Sequence, residues 1–273
     1  MIVGGFQMAS SKGRQRLARV LQHGGEWVTV DDAAAALRVD RVTAAKLLAR
    51  WQQQGWLARV RRGLYVAVSL SASPSDQVLE DAWSLVPELF DPAYVGGASA
   101  AQHWGLTEQL FRSVFVYTVR PVRRTKQTIH GAAFVIRHIS EDRLFGTTPL
   151  WRGRIKIQLS DIHRTIIDML DEPAAGGGIR HVSECLKTYL ARRDAEPSKL
   201  INYADRLGNG AVFKRLGFLT ELYEGPATLV NACTARQTQG VVKLDPAVPS
   251  PRLLRRWRLW LPDRWKMEEA AND

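Results

Sequence analysis

Cationic side chains on a tight hairpin are the feature of this sequence with the clearest chemistry. The stretch GWLARVRRGLYVAV, residues 55–68, places Arg59, Arg61 and Arg62 between two short apolar runs that meet at Gly63. Guanidinium groups form charge-assisted hydrogen bonds with phosphate oxygens, and three of them on one turn concentrate positive charge at a single point. The spacing therefore predicts a surface that binds a phosphate-bearing polymer.

The distribution of the remaining charge supports this interpretation. The 273-residue chain carries a formal net charge of +11, and residues 1–70 alone hold eleven Lys and Arg against four acids. Residues 71–245 hold 21 against 19, and residues 246–273 hold six against four. A basic segment joined to one with nearly equal numbers of acids and bases is typical of a nucleic-acid-binding domain followed by a domain with a different function. The alternative is a basic protein that its charge keeps soluble.

The composition disfavours several classes of protein. No stretch approaches the roughly 18 apolar residues of a membrane span, and the first residues lack the basic-then-apolar order of a signal peptide. Cys185 and Cys233 are far apart and outside metal-ligand spacing, which indicates buried thiols rather than a disulfide or a zinc site. We expect a cytoplasmic protein with no membrane segment, no metal and no cofactor.

The elements that would position the hairpin are predicted by the periodicity upstream of it. A first helix is predicted over GRQRLARVLQHGG, and a short strand over EWVTV. A second helix follows, with Asp31 and Asp32 at its positive N-terminal end. A third helix runs from Arg41 to about Gln54, and Asp40 has the position of its N-cap.

The predicted third helix has one apolar stripe and one polar, cationic face. The apolar stripe has the i, i+3, i+4, i+7 spacing of a buried helix face and consists of Ala44, Leu47, Leu48 and Trp51. The residues that we predict to approach the major groove of DNA are Arg41, Thr43, Lys46 and Arg50. Two helices joined by a short turn, the second with cations outward, match the helix-turn-helix geometry. A cationic helix face by itself is also consistent with a merely solvated surface.

The hairpin that follows this helix has the position of a wing. Two strands are predicted, over residues 56–60 and 64–68, with a tight connection between them. A wing lies beside the DNA backbone or the minor groove, so Arg59, Arg61 and Arg62 are predicted to bind DNA there. The alternative is a solubilising turn on an edge hairpin, which leaves the arginines after a recognition-type helix unexplained.

The sequence divides into two predicted domains. Residues 1–70 form a winged helix-turn-helix domain, the Ser-rich residues 71–77 a linker, and residues 78–273 a larger C-terminal domain. In the last, VFVYTV, AAFVIRHI and RIKIQL are predicted strands, whereas PVRRTKQ and DRLFGTTPLWRG are predicted turns. The later segments, from DIHRTIIDML onward, are helical. The fold class is therefore α+β, with the sheet of the mixed α/β C-terminal domain first and its helices after.

No catalytic residue is predicted in the C-terminal domain. One helical face, with a histidine at 163 nearby, carries Asp161, Arg164, Thr165 and Asp168. Acids beside a histidine suit acid–base chemistry, but such residues more commonly form a helix N-cap and surface ion pairs. Lys156 would suit a metal-dependent nuclease, yet Arg154 two positions earlier would repel a divalent cation. The glycines at 176–178 lack the Lys-Ser/Thr of a phosphate loop and indicate a flexible turn.

The tail PRLLRRWRLWLP, residues 251–262, is consistent with two structures. As a helix, its leucines would line one side and its arginines the other, which suits a polyanion or a partner groove. As a strand, Trp257, Leu259 and Leu261 would point inward and Arg258 outward. The sequence leaves both open.

Five segments between Arg14 and Pro262 carry a likeness to a known family. They are RRGLYVAV, YVGGASAAQHWGLTEQLFRSVFVYT, LSDIHRTIIDMLDEPAAGGG, LINYADRLGNGAVFKRLGFLTE and KLDPAVPSPRLLRRWRLWLP, in consistent order. With them the chain resembles the AbiE-type (AbiEi) antitoxins, the regulator half of bacterial type IV toxin–antitoxin operons for abortive infection. It departs from the family at His163, because family members usually have an acid directly before the Arg-Thr pair.

The resemblance implies a function for each domain. The winged helix would repress its own promoter at inverted repeats in double-stranded DNA, and the C-terminal domain would counteract a nucleotidyltransferase-like toxin in phage resistance. In this family the antagonism does not require a stable toxin complex. Our hypothesis is a DNA-binding antitoxin that is not an enzyme. The alternatives are a ligand-responsive winged-helix transcription factor and a winged-helix-targeted, metal-dependent nuclease.

Overall fold

The structure, a computed structural model, describes residues 4–24, 27–68, 82–129, 131–153, 155–263 and 265, and of residues 4–11 and 61 the backbone without the side chain. The chain divides into an N-terminal unit, Met1–Glu80 with Thr128–Ala132, and a larger C-terminal unit built from Asp81–Gln127 and Ala133–Asp273. The linker predicted at residues 71–77 lies outside the described residues, so the domain boundaries stay a prediction. No helix in the described ranges is long and apolar enough for a membrane span.

Three helices and a three-stranded sheet make up the N-terminal unit. In chain order these are α1 (Gly4–Gly24), β1 (Trp27–Thr29), α2 (Val30–Leu37), α3 (Arg41–Gln53), β2 (Leu57–Arg61) and β3 (Leu64–Ala67). The predicted stripe of α3 is buried at Ala44, Leu48 and Trp51 and half-buried at Leu47. It packs with Leu17 and Val20 of α1 into one apolar core, which fixes the outward face of α3.

Local hydrogen bonds determine where α2 begins and ends. Thr29 is its N-cap, and the Thr29 hydroxyl accepts from the Asp32 amide at 3.1 Å. The Asp32 carboxylate in turn accepts from the Thr29 amide at 2.8 Å, which completes a capping box. Arg38 ends the helix in the left-handed region at φ 54°. Three residues therefore separate α2 from α3, as a helix-turn-helix requires.

The wing is a twisted hairpin that is tied to the helix-turn-helix. β3 lies between β1 and β2 and is antiparallel to both. The chain reverses at Gly63, whose φ of 84° favours glycine because other residues have a Cβ that clashes there. A register shift between Arg59 and Arg61 marks a β-bulge, which increases the local twist. The Val30 amide donates to the Gly63 carbonyl at 3.3 Å and links the wing tip to the start of α2.

The first half of the C-terminal unit contains a six-stranded mixed sheet and two α-helices. Its elements are α4 (Val86–Phe90), β4 (Ala93–Val95), α5 (Gly97–His103), β5 (Ser113–Thr118), β6 (Lys126–Ile129), β7 (Ala132–His138), β8 (Thr147–Arg152) and β9 (Ile155–Ser160). The strand order is β6-β7-β5-β4-β9-β8, with parallel pairs β5/β7 and β4/β9. The three predicted strands are β5, β7 and β9, and they lie inside the sheet.

One edge strand lies in a segment that the sequence predicts to be a turn, and there the prediction is wrong. DRLFGTTPLWRG contains all of β8, which is antiparallel to β9, whereas PVRRTKQ overlaps β6 only at Lys126 and Gln127. Edge strands bury little of either face, so their apolar alternation is weak. Pro149 also argues against a strand by its type, but proline is tolerated where a strand has one free edge.

Helices and a small sheet complete the C-terminal unit. They are α6 (Ile162–Asp171), α7 (Ile179–Leu190), α8 (Pro197–Leu207), α9 (Gly210–Leu222), α10 (Ala227–Ala235), β10 (Val242–Lys243), β11 (Arg252–Leu254) and β12 (Leu259–Leu261). Their apolar faces form one large core that includes both cysteines, which are buried thiols as predicted. The sheet precedes the helices along the chain, and the α+β fold class is confirmed.

The tail is a hairpin rather than one helix or one strand. β11 and β12 are antiparallel, and four turn residues join them. The strand interpretation is right for Leu259 and Leu261, which are buried, whereas Trp257 lies in the turn and is also buried. Its indole packs against Gly217 of α9, where a Cβ would lie 2.1 Å from the ring. Glycine at that position is what allows the tail to dock.

Candidate nucleic-acid interface

The first turn of α3 is rigid because its cap residue makes two hydrogen bonds. The Asp40 carboxylate accepts from the Thr43 amide at 2.9 Å and from the Thr43 hydroxyl at 2.6 Å. Hydrogen bonds from the Thr43 hydroxyl and amide lower the pKa of the Asp40 carboxyl. The predicted site residue Thr43 is exposed, but its hydroxyl already donates to the Asp40 carboxylate.

Arg41, the first residue of α3, is held by an acid from the preceding helix. Its Nη1 lies 2.5 Å from Oδ1 of Asp31, and the two side chains expose 71% and 65% of their surface. An ion pair this exposed contributes little to folding, at most about 1 kcal/mol. It restricts the orientations of a long flexible side chain, so the predicted DNA-binding residue Arg41 is positioned by Asp31.

The other predicted groove-facing residues are exposed along the same helix. Lys46 and Arg50 are one turn apart and lie outside the buried stripe. Both therefore remain available to a ligand at the surface of the N-terminal unit. Their placement agrees with the predicted orientation of α3, in which the core contacts leave this face to solvent.

Two of the three predicted wing arginines have described side chains. Arg59 on β2 and Arg62 in the turn are both exposed. Arg61 belongs to β2 by its backbone, which pairs with Leu64, and its side chain lies outside the described residues. The bulge between Arg59 and Arg61 means that the two do not follow simple strand alternation. The hairpin thus presents cations on and beside its turn.

Three residues of this surface were not among the predicted site residues. Asp31 pairs with Arg41, and no spacing rule in the sequence indicates that contact. Val42 exposes 64% of its surface in the first turn of α3. Its place outside the buried stripe could have identified it. The Arg14 guanidinium lies 5.8 Å from the Trp56 ring centroid, a cation–π contact between α1 and the start of the hairpin.

The acids and histidine considered for catalysis belong to the C-terminal unit, and most of them are buried. The Arg164 Nε donates to Asp168 at 2.7 Å, and Tyr94 donates to the same carboxylate at 3.0 Å. The Arg164 and Asp168 side chains are 1% and 3% exposed. Asp161 is the N-cap of α6, as the sequence indicates. The expected surface ion pair is instead a buried one, because α6 lies inside the core and not on its surface.

The side chains of this network are almost fully shielded from solvent, since Arg164 and Asp168 expose only 1% and 3% of their surface. The Thr165 hydroxyl donates to the Asp161 carbonyl at 2.8 Å and is therefore already bonded within the helix. Burial raises the pKa of Asp168 to about 6, although the neighbouring Arg164 guanidinium opposes that increase. The arrangement is that of a structural network inside the core, in which the Arg164 Nε donates to Asp168 and Nη2 donates to the Tyr94 hydroxyl.

The surroundings of His163 and of the glycine turn at residues 176–178 are those of structural groups and not of a catalytic histidine or a phosphate loop. His163 is buried against the rings of Tyr189 and Tyr203, and neither ring nitrogen has a hydrogen-bond partner in the part of the chain that is described. Gly178 precedes α7, whose first amide, from Ile179, donates to an aspartate carboxylate rather than facing an open anion site. No group of three or more His, Cys, Asp or Glu among the described residues could hold a metal ion.

Comparison with known proteins gives a family match for the N-terminal segment and a fold match for nearly the whole chain. Residues 15–68 match a family model described as a transcriptional regulator, AbiEi antitoxin. The crystal structure of the RV2827C protein from Mycobacterium tuberculosis has a TM-score of 0.62 to this chain at 16% sequence identity. That match covers 91% of this chain and 90% of the other, and at such low identity it shows a shared fold alone. No curated protein matches the sequence.

The family match and the geometry coincide in the N-terminal unit. Residues 15–68 include the last ten residues of α1, the helix-turn-helix and both strands of the wing. They also contain every residue predicted to bind DNA. The resemblance to the AbiEi antitoxin regulators is thereby confirmed for the segment that folds as the winged helix.

Proposed function

We propose that this protein is a DNA-binding antitoxin of a type IV toxin–antitoxin operon that represses its own promoter. The winged helix binds inverted repeats in double-stranded DNA through Arg41, Thr43, Lys46, Arg50, Arg59, Arg61 and Arg62. The C-terminal domain counteracts a nucleotidyltransferase-like toxin without a catalytic reaction of its own, and a stable complex with the toxin is not required. The observation that carries the proposal is the match of residues 15–68 to a regulator family in the same segment that exposes Arg41, Lys46, Arg50, Arg59 and Arg62.

The physical support for DNA binding is that the cations lie on α3 and on the wing hairpin that directly follows it in the chain. α3 exposes Lys46 and Arg50 on the face opposite its core stripe, and the wing exposes Arg59 and Arg62. A recognition helix reaches base edges in the major groove, while wing arginines meet phosphates. Phosphate contacts supply affinity for any sequence, and base contacts supply discrimination between sequences.

The proposal is tested by the double variant Arg61→Ala, Arg62→Ala in the full chain. We expect weaker binding to operator and unrelated duplexes alike, because the two guanidinium groups bind phosphates. The slope of log K against log salt should become shallower by about 0.9 for each phosphate that the variant no longer neutralises, measured by fluorescence anisotropy at several salt concentrations.

A matched control replaces two other adjacent arginines by alanine. Arg123 and Arg124 are exposed in the C-terminal unit and carry the same charge. This control should bind DNA like the parent chain. Its net charge changes by the same amount as in the Arg61/Arg62 variant, but the two substituted arginines are distant in sequence from the winged helix. Unchanged operator affinity of the Arg61/Arg62 variant would show that the wing assignment is wrong.

The antitoxin half of the proposal has its own test. If a neighbouring gene encodes a nucleotidyltransferase-like toxin, co-expression of this protein with that toxin should restore growth of the toxin-expressing cells. The Arg61/Arg62 variant should restore growth equally well, because antagonism is assigned to the C-terminal domain. Loss of rescue by the wing variant at equal toxin levels would contradict that division of labour.

A ligand-responsive transcription factor is the second candidate, and one observation favours it. The C-terminal unit has a cavity of about 480 Å³ at the start of α7, within the size range of small-molecule sites. Its walls include Gly178, Ile179, Arg180, Asp245 and Trp265. This candidate predicts that a metabolite changes operator affinity and that no neighbouring toxin is neutralised, so the rescue experiment separates the two.

A further inference from the structure

One apolar side chain on the proposed DNA surface has no structural role that explains it. Val42 is the second residue of α3 and exposes 64% of its surface. A single exposed valine is ordinary on a protein, so its exposure alone says nothing about function. Valine is, however, a weak helix former because of its branched Cβ, and this one packs against no core. Its position on α3 is what makes it informative.

Val42 lies where a recognition helix meets the edges of the bases. The N-terminal residues of such a helix enter the major groove first. Val42 and Lys46 are four residues apart, so they are neighbours on the exposed face of α3. The isopropyl group therefore lies among the residues proposed to approach the DNA.

The polar groups on either side of Val42 are held in place by neighbouring aspartates. The Thr43 hydroxyl is bound to the Asp40 carboxylate at 2.6 Å, so it is committed to the helix cap. The Arg41 guanidinium is held by Asp31 at 2.5 Å. The first turn thus presents one positioned guanidinium beside an apolar branch. In the major groove the apolar feature of a base is the 5-methyl group of thymine, and arginine pairs best with guanine.

We propose that Val42 is a specificity-determining residue that contacts the 5-methyl group of a thymine in the operator. This thymine lies next to the base that Arg41 reads. The inference rests on the proposed DNA-binding function and adds to it the identity of a base. It requires no movement of the helix, because Val42 is exposed in the free protein.

The test replaces thymine by deoxyuridine, which differs only by the missing methyl group. An operator is first obtained by selecting random duplexes with the full chain, and each thymine is then replaced in turn. At one position in each half-site, deoxyuridine should weaken binding of the parent chain about fourfold, the effect of one buried methyl group. Binding is measured by fluorescence anisotropy at one fixed salt concentration.

The variant Val42→Ala should bind thymine and deoxyuridine duplexes equally while keeping the salt dependence of the parent. Val241→Ala is the matched control, because Val241 is also exposed, at 45%, and lies in the C-terminal unit. That control should retain the fourfold difference. Thermal unfolding should show neither variant to be less stable than the parent, since neither valine is part of the core.

Three results would overturn the inference. The selected operator could lack thymine in its half-sites, the parent could be indifferent to every replacement, or Val42→Ala could still discriminate at the same position. In each of these cases duplex binding itself persists, so the proposed function stands. Failure to select any duplex at all would remove both the proposed function and this inference.

Discussion

Two arginine–aspartate pairs in this protein have similar geometry and opposite surroundings. The Arg41–Asp31 pair joins the two helices of the helix-turn-helix at 2.5 Å, and the Arg164–Asp168 pair lies within α6 at 2.7 Å. The first pair is 71% and 65% exposed, and the second 1% and 3%. Water competes for the first pair and not for the second. The same residue types therefore form an accessible surface in one unit and a structural network in the other.

The difference follows from what each helix packs against. α3 contacts its core with one apolar stripe and leaves the rest to solvent. All residues of α6 from Ile162 to Leu170 are buried, so its charged side chains must find partners inside the core. Tyr94 from β4 supplies one of them, through hydrogen bonds to both Arg164 and Asp168. Accessibility, and not the distance between charges, decides which pair a ligand can reach.

The largest expected effect that tests this contrast is that of Asp168→Ala on stability. Removal of the carboxylate leaves the Arg164 guanidinium buried and without its counter-charge, which should cost about 3–5 kcal/mol of unfolding free energy. Urea unfolding of the full chain measures it. The double variant Arg164→Met, Asp168→Leu should cost less, because no charge is left unpaired. A cost below about 1 kcal/mol for Asp168→Ala would mean that the buried pair behaves like a surface pair.

The pH dependence of stability should also separate the two pairs. Burial raises the pKa of Asp168 from its ordinary value of 3.8 to about 6, so between these values the folded carboxyl holds a proton that the unfolded chain has lost. The unfolding free energy should therefore fall as pH rises from about 4 to 6, by an amount on the order of 3 kcal/mol, and then level off. Asp168→Asn, which cannot titrate, should lack this component. Parallel pH profiles for the two proteins would contradict the prediction.

The smallest effect is expected at the exposed pair. Asp31→Asn should change the unfolding free energy by less than about 1 kcal/mol. It should also release Arg41 and lower the ratio of operator to unrelated-duplex affinity about two- to fivefold, the equivalent of about 0.5–1 kcal/mol. Fluorescence anisotropy with both duplexes measures that ratio.

Asp194→Asn is the control, because Asp194 is as exposed as Asp31 and pairs with the half-buried Arg192 in the C-terminal unit. It should leave the affinity ratio unchanged. A ratio that moves equally in both variants would mean that net charge, and not the orientation of Arg41, is responsible.

Local sequence patterns were sufficient for the N-terminal unit. The stripe that begins at Ala44 and the cap at Asp40 predict α3 to within one residue, and Gly63 predicts the reversal of the wing. These elements depend on residues close together in the chain, so spacing and turn chemistry carry the information. Val42 and the outward cations could be assigned to the exposed face for the same reason.

Contacts between distant residues decided the rest. Arg164 and Asp168 look like a surface pair by their spacing, and their burial depends on Tyr94, about 70 residues earlier. β8 becomes a strand because β9 pairs with it, and the tail turns at Trp257 because Gly217 leaves space for its ring. Spacing along the chain is enough to identify the helical segments and to locate the cations of the winged helix. Which charges are hidden depends on the folded chain as a whole, because burial is a property of the partners that surround a side chain.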